Sequence, residues 1–189
     1  MIVITGSIAS GKSTVCKILK ENGYLIVDAD RIARNLINPE VIGDIFGSAY
    51  IKNGTVDRKA LGALIFANPK EKEKLNAYIH PLIRQQIYHD VEKLEEKKAK
   101  YLVDIPLYFE SGHYDAEIVA VVFCPKSLQI KRLMARDGMC EDDALMRIES
   151  QIDIEEKKKR ADFVIDNSLD FAHVTKETKK FMEFLDARI

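Results

Sequence analysis

Gly6-Ser7-Ile8-Ala9-Ser10-Gly11-Lys12-Ser13 sets two glycines with four residues between them and closes on a Lys-Ser pair. That spacing suits phosphate. Successive backbone N–H groups of such a loop can line a concave anion site, and a helix opening at its end adds free N–H groups and a positive dipole end. Lys12 offers a mobile ammonium to the outer phosphates. The Ser13 hydroxyl is placed for Mg²⁺, an ion that keeps waters and substrate phosphates as its other ligands. The apolar run Ile2-Val3-Ile4 stands just before the loop, which supplies the strand that this motif needs. A Gly/Ser turn that binds nothing is the plain alternative.

Carboxylates and guanidinium groups at other positions complete the chemistry. Asp28 and Asp30 close a second apolar run, and an acceptor hydroxyl needs a carboxylate to take its proton. Asp30 would serve equally as an N-cap, since a helix follows it. Asp104 ends the run Tyr101-Leu102-Val103 and can hold Mg²⁺ directly or through water, or act as a turn residue before Pro106. Arg132 and Arg136 stand at i and i+4 on one helix face, and Arg147 and Gln151 repeat that spacing. Guanidinium forks match phosphate oxygens and can stack on a base. Support of an exposed hairpin is the structural alternative. No His/Cys cluster has the spacing of a zinc site.

Five β-rich runs must position these groups: 2–5, 24–28, 101–105, 118–124 and 163–166. They alternate with helical stretches, which predicts an α/β fold of three layers with a five-stranded parallel sheet between helices. Asn22-Gly23 stops the first helix. About seventy residues after the second strand carry little strand character and read as an inserted helical domain. Within it a helix over 31–37 stops at Asn38-Pro39. Asp57 caps a helix to Ala67, and Pro69 opens a segment that His80-Pro81 breaks before a long helix toward Lys100. The acidic start Glu141-Asp142-Asp143 follows Gly138 in a cation-rich segment, 132–160, that can serve as a lid. The predicted parts are a core of 1–30, 101–131 and 161–189, a helical acceptor domain of 31–100, and the lid.

Composition limits the partners. A net charge of −1 provides no global basic field for nucleic acid or a membrane surface, so an anionic substrate must be held by local cations. No apolar run approaches a bilayer span, and the chain opens directly on strand and loop, so no signal peptide and a cytoplasmic location are expected. Cys16, Cys124 and Cys140 form no close pair and read as reduced thiols, the first two on buried faces.

Taken in order, several stretches resemble the dephospho-CoA kinase family. They are 5–14, Asp28-Ala29-Asp30-Arg31-Ile32-Ala33-Arg34, Ile65-Phe66-Ala67-Asn68-Pro69, Leu75-Asn76 with His80-Pro81-Leu82-Ile83-Arg84, Asp104-Ile105-Pro106-Leu107-Tyr108-Phe109-Glu110, 131–137 and 161–167. The glycine-rich P-loop alone would indicate only a superfamily; the series is more specific. Ser7 stands where the family more often has Gly, Ala9 where Gly or Ala is common, and Tyr108 replaces a usual Leu. The resemblance implies ATP-dependent phosphorylation of the ribose 3′-hydroxyl of dephospho-coenzyme A, with Mg²⁺ and no obligate protein partner. It makes Asp30 the base, and Ala9, Ser10, Gly11, Lys12, Ser13, Thr14, Arg132, Arg136 and Arg147 the ATP contacts, with Arg136 as a transition-state clamp. Arg34, His80, Arg84 and Glu110 then belong to the acceptor pocket, although His80 suits a turn and Glu110 suits an ion pair with Arg34. Another small-molecule P-loop kinase, of nucleoside monophosphate or shikimate type, and a nucleotide-binding module without turnover are the competing readings. No guanine-reading Asn/Thr-Lys-x-Asp motif occurs.

Overall fold

A computed structural model describes residues 1–188. The chain begins with β1 (Ile2–Gly6), α1 (Lys12–Glu21) and β2 (Leu25–Asp28). It continues through α2 (Ala29–Leu36), α3 (Pro39–Phe46), a 3₁₀ turn at Ser48–Tyr50, the short strands β3 (Ile51–Lys52) and β4 (Thr55–Val56), α4 (Arg58–Ala67) and α5 (Pro69–Glu96). Then come β5 (Tyr101–Asp104), α6 (Tyr108–Ser111), β6 (Ile118–Phe123), α7 (Lys126–Asp137), α8 (Glu141–Glu149), α9 (Ile154–Lys159), β7 (Phe163–Asp166) and α10 (Phe171–Asp186). Two compact units emerge: Met1–Asp28 with Lys93–Ile189, and Ala29–Glu92.

The first unit holds a five-stranded parallel sheet in the order β2-β5-β1-β6-β7. All five strands of the sequence reading are present, within a residue or two at each end. Both faces are covered, so β1 and β6 are buried at every position, as a parallel sheet with helices on each side requires. The strand period of two splits the core. Ile2, Ile4, Ile118, Ala120 and Val122 pack with Val15, Ile18 and Leu19 of α1 and Phe181 and Leu185 of α10. Val121 and Phe123 face Ile154 and Phe109 on the other side. Each fully buried Val, Leu, Ile or Phe among them contributes roughly 1.5–3 kcal/mol relative to exposure.

In the second unit, Asp57 caps α4 by accepting from the Ala60 amide at 3.0 Å, as its sequence predicts. Three elements differ from expectation. Asn38 accepts from the Glu40 amide at 2.8 Å and starts α3, so the Asn-Pro pair both ends one helix and opens another. The β3–β4 hairpin is too short to leave a periodic signal. Most plainly, His80-Pro81 does not break the chain: α5 runs 28 residues with Pro81 inside it. The ring removes one hydrogen bond, to the carbonyl of Ala77. Pro81 and Ala77 are both exposed, so that defect faces solvent, while the stripe Ile79, Ile83, Ile87 and Val91 is buried. Four apolar side chains buried at a spacing of four outweigh the roughly 3 kcal/mol cost of an interior Pro.

Candidate active site

In the first unit, the loop between β1 and α1 lies at the carboxyl end of the sheet, where open α/β sheets bind ligands. Its shape is fixed by close packing. Gly11 has φ +90°, and a Cβ there would meet Asn167 Nδ2 at 1.9 Å. A Cβ on Gly6 would meet Ser10 Oγ at 2.6 Å and the Val122 carbonyl at 3.0 Å. Ala9, at φ 59°, takes a left-handed conformation that an alanine adopts only when its surroundings impose it. The Ser10 amide donates to the Ser7 carbonyl at 3.0 Å, which closes the turn. No side chain caps α1 and no acidic residue stands in its first turn, so its amino end keeps its donors and positive dipole for a ligand. Ser13 is exposed in that turn, and Thr14 is half-buried.

Lys12 Nζ forms an ion pair with Asp104 Oδ1, and Cys16 Sγ lies 3.6 Å from Asp104 Oδ2. Asp104 is the register partner of Asp28 across β2 and β5, so two carboxylates end adjacent strands at one level. Burial pushes the Asp104 carboxyl up, against the pull of Lys12. Burial, with help from Asp104, raises the Cys16 thiol to about 12. Lys12 thus rests on a partly buried carboxylate at the strand end.

Arg132 is half-buried and donates through Nη1 to the Ser10 carbonyl (3.3 Å) and through Nη2 to the Asn167 carbonyl (3.0 Å). Asn167 Nδ2 donates to the same Ser10 carbonyl at 2.8 Å. Arg132 and Asn167 thus brace the far side of the loop. Gly138, with φ +67°, caps α7 and lets α8 turn back. The small core of this hairpin, Leu133, Ala144 and Ile148, packs against Ile8 and Ala9 of the loop. Arg136 and Arg147 converge on one carboxylate. Arg136 donates through Nε and Nη2 to Asp137 at 2.7 and 2.9 Å, and Arg147 Nη1 lies 3.4 Å from Asp137 Oδ2. Arg136 holds the Asp137 carboxyl below its usual range. Both arginines are more than half exposed.

Glu110, in α6, accepts from the Ile152 amide at 3.0 Å and pairs with Lys157 Nζ at 2.7 Å. That partner, Lys157, is brought by α9 to 0% exposure beneath the loop. Gln151 Oε1 accepts from the Ile8 amide at 2.9 Å. Lys157 and Asn167 touch the loop through the Gly6 and Ser10 carbonyls, and the sequence alone did not single them out. The signal for Lys157 was its place three residues after Ile154 and four before Ala161, on the apolar side of a short helix.

In the second unit, Asp30 is exposed and sits within the first turn of α2. It is not the residue before the helix, so the capping role open to it in the sequence is taken away. Arg34 is exposed in the last turn of α2, and its carbonyl accepts from Arg58 Nη2 at 2.9 Å. His80 and Arg84 lie one turn apart in α5, both half-buried, so His80 is a helix residue and not a turn residue.

The sequence matches the family model described as dephospho-CoA kinase over residues 1–173. The chain belongs to the dephospho-CoA kinase family. A dephospho-CoA kinase from Sulfurimonas denitrificans is 43% identical over 189 residues, covering 99% of this chain and 94% of the relative. One from Enterococcus faecalis is 44% identical, with 95% and 94% covered. The solved dephospho-CoA kinase from Campylobacter jejuni superposes with a TM-score of 0.77 at 34% identity, covering 100% of this chain and 98% of that one. A Thermus thermophilus structure, TT1252, gives 0.85 at 33%, with 96% and 95% covered. A shikimate kinase from Bacteroides thetaiotaomicron, at 17% identity and a TM-score of 0.53, shares the fold. Among the described residues no helix is long and apolar enough to cross a membrane.

Proposed function

We propose that the chain transfers the γ-phosphoryl group of ATP to the ribose 3′-hydroxyl of dephospho-CoA, giving ADP and coenzyme A. The observation that carries this reading is a phosphate loop with its lysine parked on a strand-end carboxylate, in a chain that belongs to the dephospho-CoA kinase family. Phosphoryl transfer needs positioning and charge neutralisation more than covalent chemistry. The amides of residues 9–14 bind the phosphates. Lys12 leaves Asp104 for the outer phosphates, and Arg136 and Arg147 leave Asp137 for the same charge, as the arms of a lid over 132–160. Arg132 acts on ATP chiefly by shaping the loop through Ser10.

Mg²⁺, when bound, neutralises phosphate charge and helps orient the transferred group. Ser13 and Asp104 are the residues that would hold it. They fit: both are hard oxygen donors. Among the described residues no cluster of three His, Cys, Asp or Glu side chains could cage a metal, which suits an ion that takes substrate phosphates and waters as its other ligands.

Asp30 takes the proton of the ribose hydroxyl. Arg34 and Arg84 meet the acceptor's phosphates, with His80 beside Arg84, in a domain formed by the inserted helices. Glu110 takes no part in acceptor binding, since its Oε1 is committed to the Lys157 ammonium and the Ile152 amide. A cytoplasmic location accords with three free cysteines. Replacing Asp30 with Asn tests the base: turnover should fall at least about a hundredfold with the calorimetric affinity for ATP within twofold. An Asp30→Asn variant that keeps most of its kcat removes Asp30 from the mechanism.

A further inference from the structure

Among the described residues Lys157 is one of the largest fully buried side chains, and it is a cation. Burying an ammonium is strongly unfavourable unless it is paired and hydrogen-bonded. Here Nζ donates to the Gly6 carbonyl at 3.1 Å and pairs with Glu110 Oε1 at 2.7 Å. Gly6 is the last residue of β1 and the first of the phosphate loop. Glu110 is itself fixed by the Ile152 amide, and Gln151, one residue earlier, accepts from the Ile8 amide. Gln151 therefore reaches the loop directly, its neighbour Ile152 holds Glu110, and Lys157 ties Glu110 to the strand that launches the loop. The loop's far side is held separately, by Arg132 and Asn167 at Ser10.

We propose that Lys157 is a positioning residue for ATP. It locks the Gly6 carbonyl and, with Gln151, sets the near side of the phosphate loop in register with the segment that follows α8. The role passes through the loop main chain and rests on the function proposed above. A hydrophobic pair would fill the same space with less desolvation. The ammonium is kept because only a donor can hold a carbonyl whose loop must retain one shape. Displacing Gly6 would tilt the Ala9–Ser13 amides away from the phosphates, so the penalty falls on ATP and ADP and spares the acceptor.

The test uses the full chain with three variants: Lys157→Met, Lys157→Met with Glu110→Gln, and Gln151→Ala. Michaelis constants for ATP and dephospho-CoA are measured alongside the calorimetric Kd for ADP and the thermal midpoint. The double variant removes both buried charges, so its midpoint should return toward wild type while its ATP KM and ADP Kd stay at least about tenfold raised. The dephospho-CoA KM should move less than twofold. An ATP KM and ADP Kd within twofold of wild type in the folded double variant overturn the proposal. If that variant does not fold, Lys157→Met decides, with Gln151→Ala beside it: raised ATP KM and ADP Kd in Lys157→Met support the proposal, and unchanged values overturn it. Wild-type turnover of dephospho-CoA is the control, so failure of the functional reading is seen there and is distinct from failure of this one.

Discussion

Replacing Gly11 with Ala puts a methyl group 1.9 Å from Asn167 Nδ2 on a backbone held at φ +90°. Two costs add. The left-handed conformation costs a non-glycine residue about 1–2 kcal/mol. A carbon needs about 3.5 Å from its neighbour, so Asn167 must withdraw its amide and surrender the 2.8 Å hydrogen bond to Ser10. A lost hydrogen bond of this kind costs about 1 kcal/mol or more. The sum is about 2–3 kcal/mol, which is roughly a thirtyfold to 150-fold loss of the correctly shaped loop. Asn167→Ala removes the clash partner, and Ser10 keeps Arg132. In that background Gly11→Ala should cost only the backbone term, about 1–2 kcal/mol, leaving a coupling of about 1 kcal/mol between the two sites. Urea denaturation of the four proteins, with calorimetric ATP binding, gives the cycle. If Gly11→Ala lies within 0.5 kcal/mol of wild type and binds ATP normally, the loop geometry described here is wrong.

Two further outcomes concern stability. Phe181 is fully buried in α10, its ring centroid 5.1 Å from that of Phe163, so Phe181→Ala should cost about 3–5 kcal/mol in urea denaturation. The KM values of the folded fraction should not change, since Phe181 lies in the helix-facing core and not at the loop. The Cys16 thiol is raised from 9.0 to about 12 on folding, chiefly by burial. Above pH 9 the unfolded chain sheds this proton first, so stability falls as pH rises from 9 toward 12. At pH 10 the expected loss from Cys16 is about 1 kcal/mol, and Cys16→Ala should flatten that part of the pH profile. A profile that is the same with and without Cys16 would refute the burial argument.

Much of this architecture was legible because it obeys local rules. The continuous apolar runs at 2–5 and 118–124 can only be strands covered on both faces, and Asp57 announces α4 through its cap. What escaped depended on tertiary packing. Pro81 reads as a break, yet α5 continues because the missing hydrogen bond lies on the exposed face and the Ile79–Ile83–Ile87 stripe holds the other. Lys157 reads as one of four successive cations, and only the approach of α9 to the end of β1 buries it. Among the site residues, Lys12, Asp104, Arg132 and Gln151 collect around the loop as their types imply. Arg136 and Arg147 meet on Asp137, a pairing that no spacing rule specifies, because it depends on how α8 folds back past Gly138. Glu110 turns inward to Lys157 for the same reason: its partner is distant in sequence.

Transfer from ATP to dephospho-CoA is decided by a coupled ADP-release assay with magnesium, run in parallel on dephospho-CoA, AMP, UMP and shikimate. Rapid ADP release is expected with dephospho-CoA and little above background with the other three. No release with dephospho-CoA, or release as fast with any other acceptor, would contradict it.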